Sequence, residues 1–357
     1  MSEYADDHLD DLYETAVAVG AAHQAEDASP CAGLDRPLWE ALEKTGFTGL
    51  AVSEGSGGTG GDLLDAATVL GALGTARVPY AEATLIAGPA LSRAGLRLPP
   101  GPLTAGRFDG SWDGAVLRGA ARGVPWARDC DTAVLILDGR EATVHVVDLH
   151  GAGVSCLPGT NLAGEARDEL RLDGTVPLAH APLTDAQARE WPLRGAAART
   201  VAMAGLAERV VEATHRYVQE REQFGRPLAR FQAVQHALAR LAADSFALRA
   251  AAGSAVRALR DGGLAAELTV ASAKSEASTL ARPVTAAAHQ AHGAIGFTRE
   301  HALGALTTRL WAWREEYGHE LHWQRRVSEL AHGADLWDLV TGHAENSTSA
   351  STDRELS

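Results

Sequence analysis

The chain has 357 residues, 46% of them apolar but only 5% aromatic, so Ala, Leu and Val must fill an extensive core spread over roughly two to three domains. Its formal charge of −14 and pI near 5.4 exclude a basic nucleic-acid face and disfavour adsorption on anionic lipid. No apolar run of about 18 residues predicts a membrane span. The acidic start MSEYADDHLDDLYE predicts no signal peptide, and Cys31, Cys130 and Cys156 predict neither a disulfide framework nor a metal centre, so a cytoplasmic location is expected.

In chain order, residues 1–96 read as helices. Asp35 is placed as an N-cap with Pro37 in the first turn; Leu38, Ala41, Leu42 and Thr45 repeat at helical spacing until Gly46. Thr48–Val52 reads as extended, and a glycine-rich loop spans Gly55–Gly61. A helix follows over Asp62–Leu73, with another over Thr84–Ala94. Residues 97–188 change character. Val116-Leu117, Ala133–Leu137, Thr143–Val147 and Leu170–Leu172 are short, β-branched or alternating, and separated by Asp-Gly turns, which predicts a small antiparallel β domain. Residues 189–343 return to Ala-rich helical periodicity over about 193–222, 229–260, 264–291 and 300–341, predicting a four-helix bundle in which Phe231, Val234, Leu238 and Leu241 form one buried stripe. The polar tail 344–357 is expected to be disordered.

Four motifs bear on chemistry. Gly55-Ser-Gly-Gly-Thr-Gly60 matches the G-x-G-x-x-G of dinucleotide sites, but the following segment carries Pro79 and leads into a helix rather than a second parallel strand, which favours an ordinary turn. Arg221-Glu-Gln-Phe-Gly-Arg-Pro-Leu-Ala-Arg-Phe-Gln232 breaks one helix and starts the next. It sets Arg221, Gln223 and Gln232 around Phe224, a grouping suited to a diphosphate and a purine; a solvated interhelical turn would use the same residues. Gln290-Ala-His-Gly293-Ala294-Ile-Gly296 joins an Ala-rich helix to two glycines, where backbone N–H groups can approach an anion; a helix C-cap alone needs one glycine. His319 and His322 stand three apart with no further ligand evident, so they read as surface histidines and no metal is expected.

The two bundle motifs, R-E-Q-F-G-R-P-L-x-x-F-Q-A-V-Q-H and Q-x-H-G-A-I-G-F-T-x-E, resemble the C-terminal signature of acyl-CoA dehydrogenases. Leu38–Val52, followed by Gly57-Gly-Thr-Gly-Gly, is similar to that family's N-terminal helices, and the likeness covers about residues 10–340. It implies a mainly α fold with a small β domain between N-terminal helices and a C-terminal bundle. It also implies FAD as cofactor, an acyl-CoA substrate, and an acceptor such as an electron-transfer flavoprotein. Carried over, the contacts to the ADP part of a neighbouring subunit's FAD are Arg221, Gln223, Phe224, Gln232, Gln290, Gly293 and Ala294, the last standing where the family often has glycine. Two departures stand out. The T-E-P-x-A-G-S-D stretch that wraps the flavin is missing, so the middle domain reads as reduced. The catalytic carboxylate has no clean match: ungapped alignment puts Tyr317 at the usual position, the alternative position on the first bundle helix falls near Gly195, and Glu316 is the carboxylate assigned as base. Glu315 and Glu316 would otherwise simply end a solvated helix. The short middle resembles subunits that pair with a longer relative as α2β2 assemblies in actinobacterial sterol side-chain breakdown. A homo-oligomer and a purely structural, non-catalytic subunit are the alternatives.

Overall fold

A computed structural model describes residues 3–23, 33–139, 141–297 and 302–332. Cys31, the tail 344–357 and the ends of the predicted fourth bundle helix (300–301 and 333–341) lie outside them. Helices α1 (Glu3–Ala22), α2 (Arg36–Lys44) and α3 (Leu63–Leu73) come first. Asp35 caps α2 by accepting from Leu38 N, and Asp62 and Asp65 form a reciprocal capping box on α3. The Gly55–Gly60 loop is closed by bridges from Leu50 and Val52 to Gly60, and a β-carbon on Gly58 would collide with the Val52 backbone. Close chain approach therefore explains Gly58, and left-handed backbone explains Gly57 (φ +86°) and Gly60 (φ +78°). The chain then enters a π-helical turn over Ala81–Ala87 that runs into α4 (Gly88–Arg93), so no parallel strand follows and the dinucleotide reading falls. That helical segment begins three residues earlier than its sequence suggests.

Seven strands follow: β1 (Leu103–Trp112), β2 (Leu117–Pro125), β3 (Thr132–Leu137), β4 (Thr143–Asp148), β5 (Val154–Leu157), β6 (Arg167–Thr175) and β7 (Ala179–Pro182). They form one sheet in the order β5-β6-β2-β1-β3-β4-β7. All neighbours are antiparallel except β1 and β3. The hairpin from β1 to β2 forces those two to be antiparallel; the chain then crosses back to lay β3 on the other side of β1, parallel to it. Along β3, Val134 and Ile136 face a core shared with the helices, while Ala133 and Leu135 face a second cluster with Phe108, Leu117 and Leu170. Burial on both faces explains the unbroken apolar run Ala133–Leu137.

The bundle consists of α5 (Asp185–Glu220), α6 (Gln232–Asp261), α7 (Leu264–His292), α8 (Ala302–Glu315) and α9 (Glu320–Ala331). A two-residue hairpin, β8 (Glu222–Gln223) with β9 (Arg226–Pro227), joins α5 to α6. The expected fourth helix is thus two helices. Tyr317 (φ +53°) and Gly318 (φ +98°) are left-handed, which an α-helix cannot accommodate, and His319 restarts the helix by accepting from His322 N. Of the predicted stripe, Leu241 is fully buried, whereas Phe231, Val234 and Leu238 are half-buried.

Candidate active site

The first region of interest lies where α8 breaks. Glu316 Oε1 accepts from Arg167 Nε (2.8 Å) and Asn161 Nδ2 (2.9 Å); Oε2 accepts from Arg199 Nε (2.6 Å) and Arg167 Nη2 (3.1 Å). Arg199 also pairs with buried Glu82 at 2.5 Å. Glu165 receives Trp313 Nε1 (2.7 Å), Asn161 Nδ2 (2.8 Å) and Arg167 Nη2 (3.1 Å), and Arg309 Nε stands 3.0 Å away as an ion pair. Three carboxylates and three guanidiniums thus form one continuous network. Burial pushes the Glu316 carboxyl up, but Arg167 and Arg199 outweigh burial and hold it down, to about 2.

Tyr317 lies beside this network. Its ring sits so close to Gly195 of α5 that a β-carbon there would overlap it, and the Arg199 guanidinium stands 5.5 Å from the ring centre. Trp323 Nε1 donates to Tyr317 O (2.9 Å). From the other side, fully buried Lys274 donates to the carbonyls of Arg314 (2.8 Å) and Trp313 (3.4 Å) and to Ser278 Oγ (3.2 Å), capping the end of α8. Burial lowers the Lys274 ammonium to about 7, with Glu316 opposing that shift. The space left beside the cluster, bounded by Tyr80, Glu82, Glu165, Arg199 and Trp313, is about 30 Å³, room for little more than water. A general base must turn a free lone pair toward a substrate carbon. Glu316 instead gives both oxygens to protein donors, and the space beside the cluster, among the described residues, is of water size.

The second region lies at one end of the bundle. The β8–β9 hairpin turns through Phe224 (φ +54°) and Gly225 (φ +76°), two left-handed residues as a tight twisted hairpin requires. This geometry throws the Phe224 ring into solvent, where it is 91% exposed. Arg226 lies 4.1 Å from the centre of the Phe231 ring. Tyr217, one turn before the hairpin, stacks on His292 at 4.3 Å, and its hydroxyl donates to His292 O (3.3 Å). That contact brings the end of α7, with left-handed Gly293 (φ +64°) and Ala294, to the same bundle end as the hairpin. Arg221, Gln223, Phe224, Gln232, Gln290, Gly293 and Ala294 are all exposed. A β-carbon on Gly293 would meet nothing within 4 Å. The Gly293 N–H is spent on His289 O, and what the arrangement offers is a guanidinium, amides and an aromatic face, a set that fits a nucleotide diphosphate.

Residues 6–96 match the sequence profile of the acyl-CoA dehydrogenase N-terminal domain, and residues 193–315 that of the C-terminal domain. The acyl-CoA dehydrogenase IpdE2 of Mycobacterium tuberculosis is 30% identical over 303 residues, which span 81% of this chain and 86% of that protein. The chain belongs to the acyl-CoA dehydrogenase family. Its fold superimposes on a chain of the ChsE4-ChsE5 complex of Mycobacterium tuberculosis with a TM-score of 0.79 at 25% identity, over 94% of this chain and 99% of that one. It also shares its fold with PigA, solved as an FAD complex, with a TM-score of 0.77 at 17% identity over 92% and 97% of the two chains. Family membership agrees with the order of helices, sheet and bundle legible in the sequence. The charged cluster was not legible, because Asn161, Arg167 and Arg199 reach Glu316 across 155, 149 and 117 residues.

Proposed function

We propose that this chain is one subunit of a heteromeric, FAD-dependent acyl-CoA dehydrogenase, and that it grips the ADP end of a flavin whose ring and catalytic carboxylate belong to a longer homologous partner in an α2β2 assembly. The observation that carries this reading is the contact between Tyr317 and Gly195. These residues occupy the two positions from which the family resemblance would draw a base, neither is a carboxylate, and they pack against each other beside the ion network that fills both oxygens of Glu316. Glu316 then serves as a structural anion rather than the base.

When bound, FAD supplies the acceptor for the hydride that leaves the β-carbon of the acyl thioester, and a carrier such as an electron-transfer flavoprotein reoxidises it. Toward that group this chain contributes Arg221 for the diphosphate, Gln223, Gln232 and Gln290 as hydrogen-bonding amides, Phe224 as an aromatic face, and the backbone of Gly293 and Ala294. The α-proton is taken by a carboxylate of the partner. Purifying the chain alone and recording its visible spectrum tests this. A colourless protein that gains flavin and turnover only with a co-expressed homologue is expected. An isolated chain that carries flavin and bleaches on addition of acyl-CoA contradicts it.

A further inference from the structure

Away from both regions, a cavity of 420 Å³ opens between α1, α3, α5 and α6. Its lining is dominated by small residues, among them Ala67, Gly71, Ala204, Gly205, Ala252 and Gly253. Two of these glycines have different reasons. At Gly205 a β-carbon would stand 2.5 Å from the Gly71 carbonyl oxygen, so glycine there permits α3 and α5 to touch. At Gly71 a β-carbon would meet nothing within 4 Å, and its backbone is not left-handed. Glycine inside a helix is destabilising relative to alanine. Neither packing nor backbone geometry demands it at 71; what it preserves is open volume.

The mouth is polar. Tyr13 is 37% exposed, and Arg249 stands 4.9 Å from the Phe246 ring and 3.7 Å from Glu208. Asp10 also lines the cavity, so the acids at the mouth are Asp10 and the Arg249-paired Glu208. Burial pushes the Glu208 carboxyl up, Arg249 opposes that rise, Glu212 adds to it and Arg209 again opposes it. A ligand carboxylate or phosphate would meet this acidic rim unfavourably. The volume falls in the range of small-molecule pockets, about 300–1,000 Å³, and walls from four helices leave a pit rather than a strip for a partner's helix.

We propose that this cavity binds an uncharged, mostly apolar small molecule whose single hydroxyl or carbonyl group meets Tyr13 and Arg249 at the mouth. It is independent of the flavin assignment. The full-length chain, alone and in its co-purified assembly, is titrated with the uncharged fluorophore N-phenyl-1-naphthylamine and with its anionic relative 1-anilinonaphthalene-8-sulfonate. The expected result is saturable binding of the uncharged probe at one site per chain in both forms, about 10-fold or more tighter than the sulfonate. Gly71→Leu, whose side chain projects into the void, should weaken that binding about 10-fold or more with an unchanged circular dichroism spectrum. Gly71→Ala should keep it and melt no lower, and Thr68→Trp provides a second blocking variant should the leucine fail to fold. Absence of saturable binding, equal affinity for the two probes, or unaltered binding in the folded blocking variants would overturn the proposal. So would binding that disappears on assembly, which would make the cavity a subunit contact.

Discussion

The two charged regions of this chain are built on opposite terms. At the α8–α9 break, Glu82, Glu165 and Glu316 meet Arg167, Arg199 and Arg309 indoors, and Glu316 has both oxygens filled by protein donors. At the bundle end, Arg221, Gln223, Phe224 and Gln290 face outward on elements whose backbone is fixed by the hairpin and by the Tyr217–His292 stack. A buried charge set that is complete has nothing left to offer a substrate. An exposed set has donors free to meet a ligand. Under the proposed assignment, substitutions on the two sides should fail in different ways.

The largest effect is expected at Glu316. Glu316→Gln leaves Arg167 and Arg199 partly uncompensated, and breaking a buried pair in this way costs about 3–5 kcal/mol. Denaturant unfolding should show that loss, while turnover per folded assembly stays within a few fold of the parent; abolished turnover in a stably folded variant would return the role of base to Glu316. The same carboxyl has a pH signature. Its folded pKa, about 2, lies below the ordinary carboxylate value of 4.5, so its stabilisation is fully present above pH 4.5 and is lost as pH falls toward 2. Acid unfolding of the parent and of Glu316→Gln should diverge in that window.

Next in size is Arg221→Ala. Loss of one charge-assisted hydrogen bond should weaken flavin retention in the assembly about 10-fold or more while leaving the unfolding midpoint where it was. Unchanged flavin content would move the diphosphate elsewhere. Gly195→Ala should lower stability by about 1–3 kcal/mol, because a methyl group must displace the Tyr317 ring. An unshifted denaturation curve would mean that the ring is not wedged there.

At Lys274 the expected effect is a slope in pH rather than a fixed loss. Its folded pKa of about 7 lies below the unfolded 10.5, so burying the ammonium costs stability below pH 7, and that penalty is relieved as pH rises from 7 toward 10.5. Stability should climb through that window by at most about 1.4 kcal/mol per pH unit, and Lys274→Met should remove the slope. An identical slope in both proteins would show the lysine to be hydrated.

Much of this contrast could be read from the sequence on one side only. The bundle end is local: Gly225 and Pro227 break the helix, Gly293 ends another, and the polar residues lie within a few positions of those breakers. Short-range patterning also marked β3, β4 and the N-cap Asp35. The closed cluster is non-local. Tyr317 and Gly195 each attract notice alone, yet nothing in the order of residues says that they touch, and Glu315-Glu316 reads as the end of a solvated helix until Arg167 and Arg199 are placed beside it. In fact only Glu315 is exposed there. The break in the fourth helix was missed for the same reason, since Tyr317 accepts a left-handed backbone only because Trp323, Lys274 and Gly195 hold both sides of it.

The most direct test of the division of labour is a flavin count on the co-purified assembly, by absorbance after denaturation against chain concentration. One flavin for each pair of unlike chains is the expected result. A full complement, one flavin for every chain, would contradict a closed cleft in this subunit.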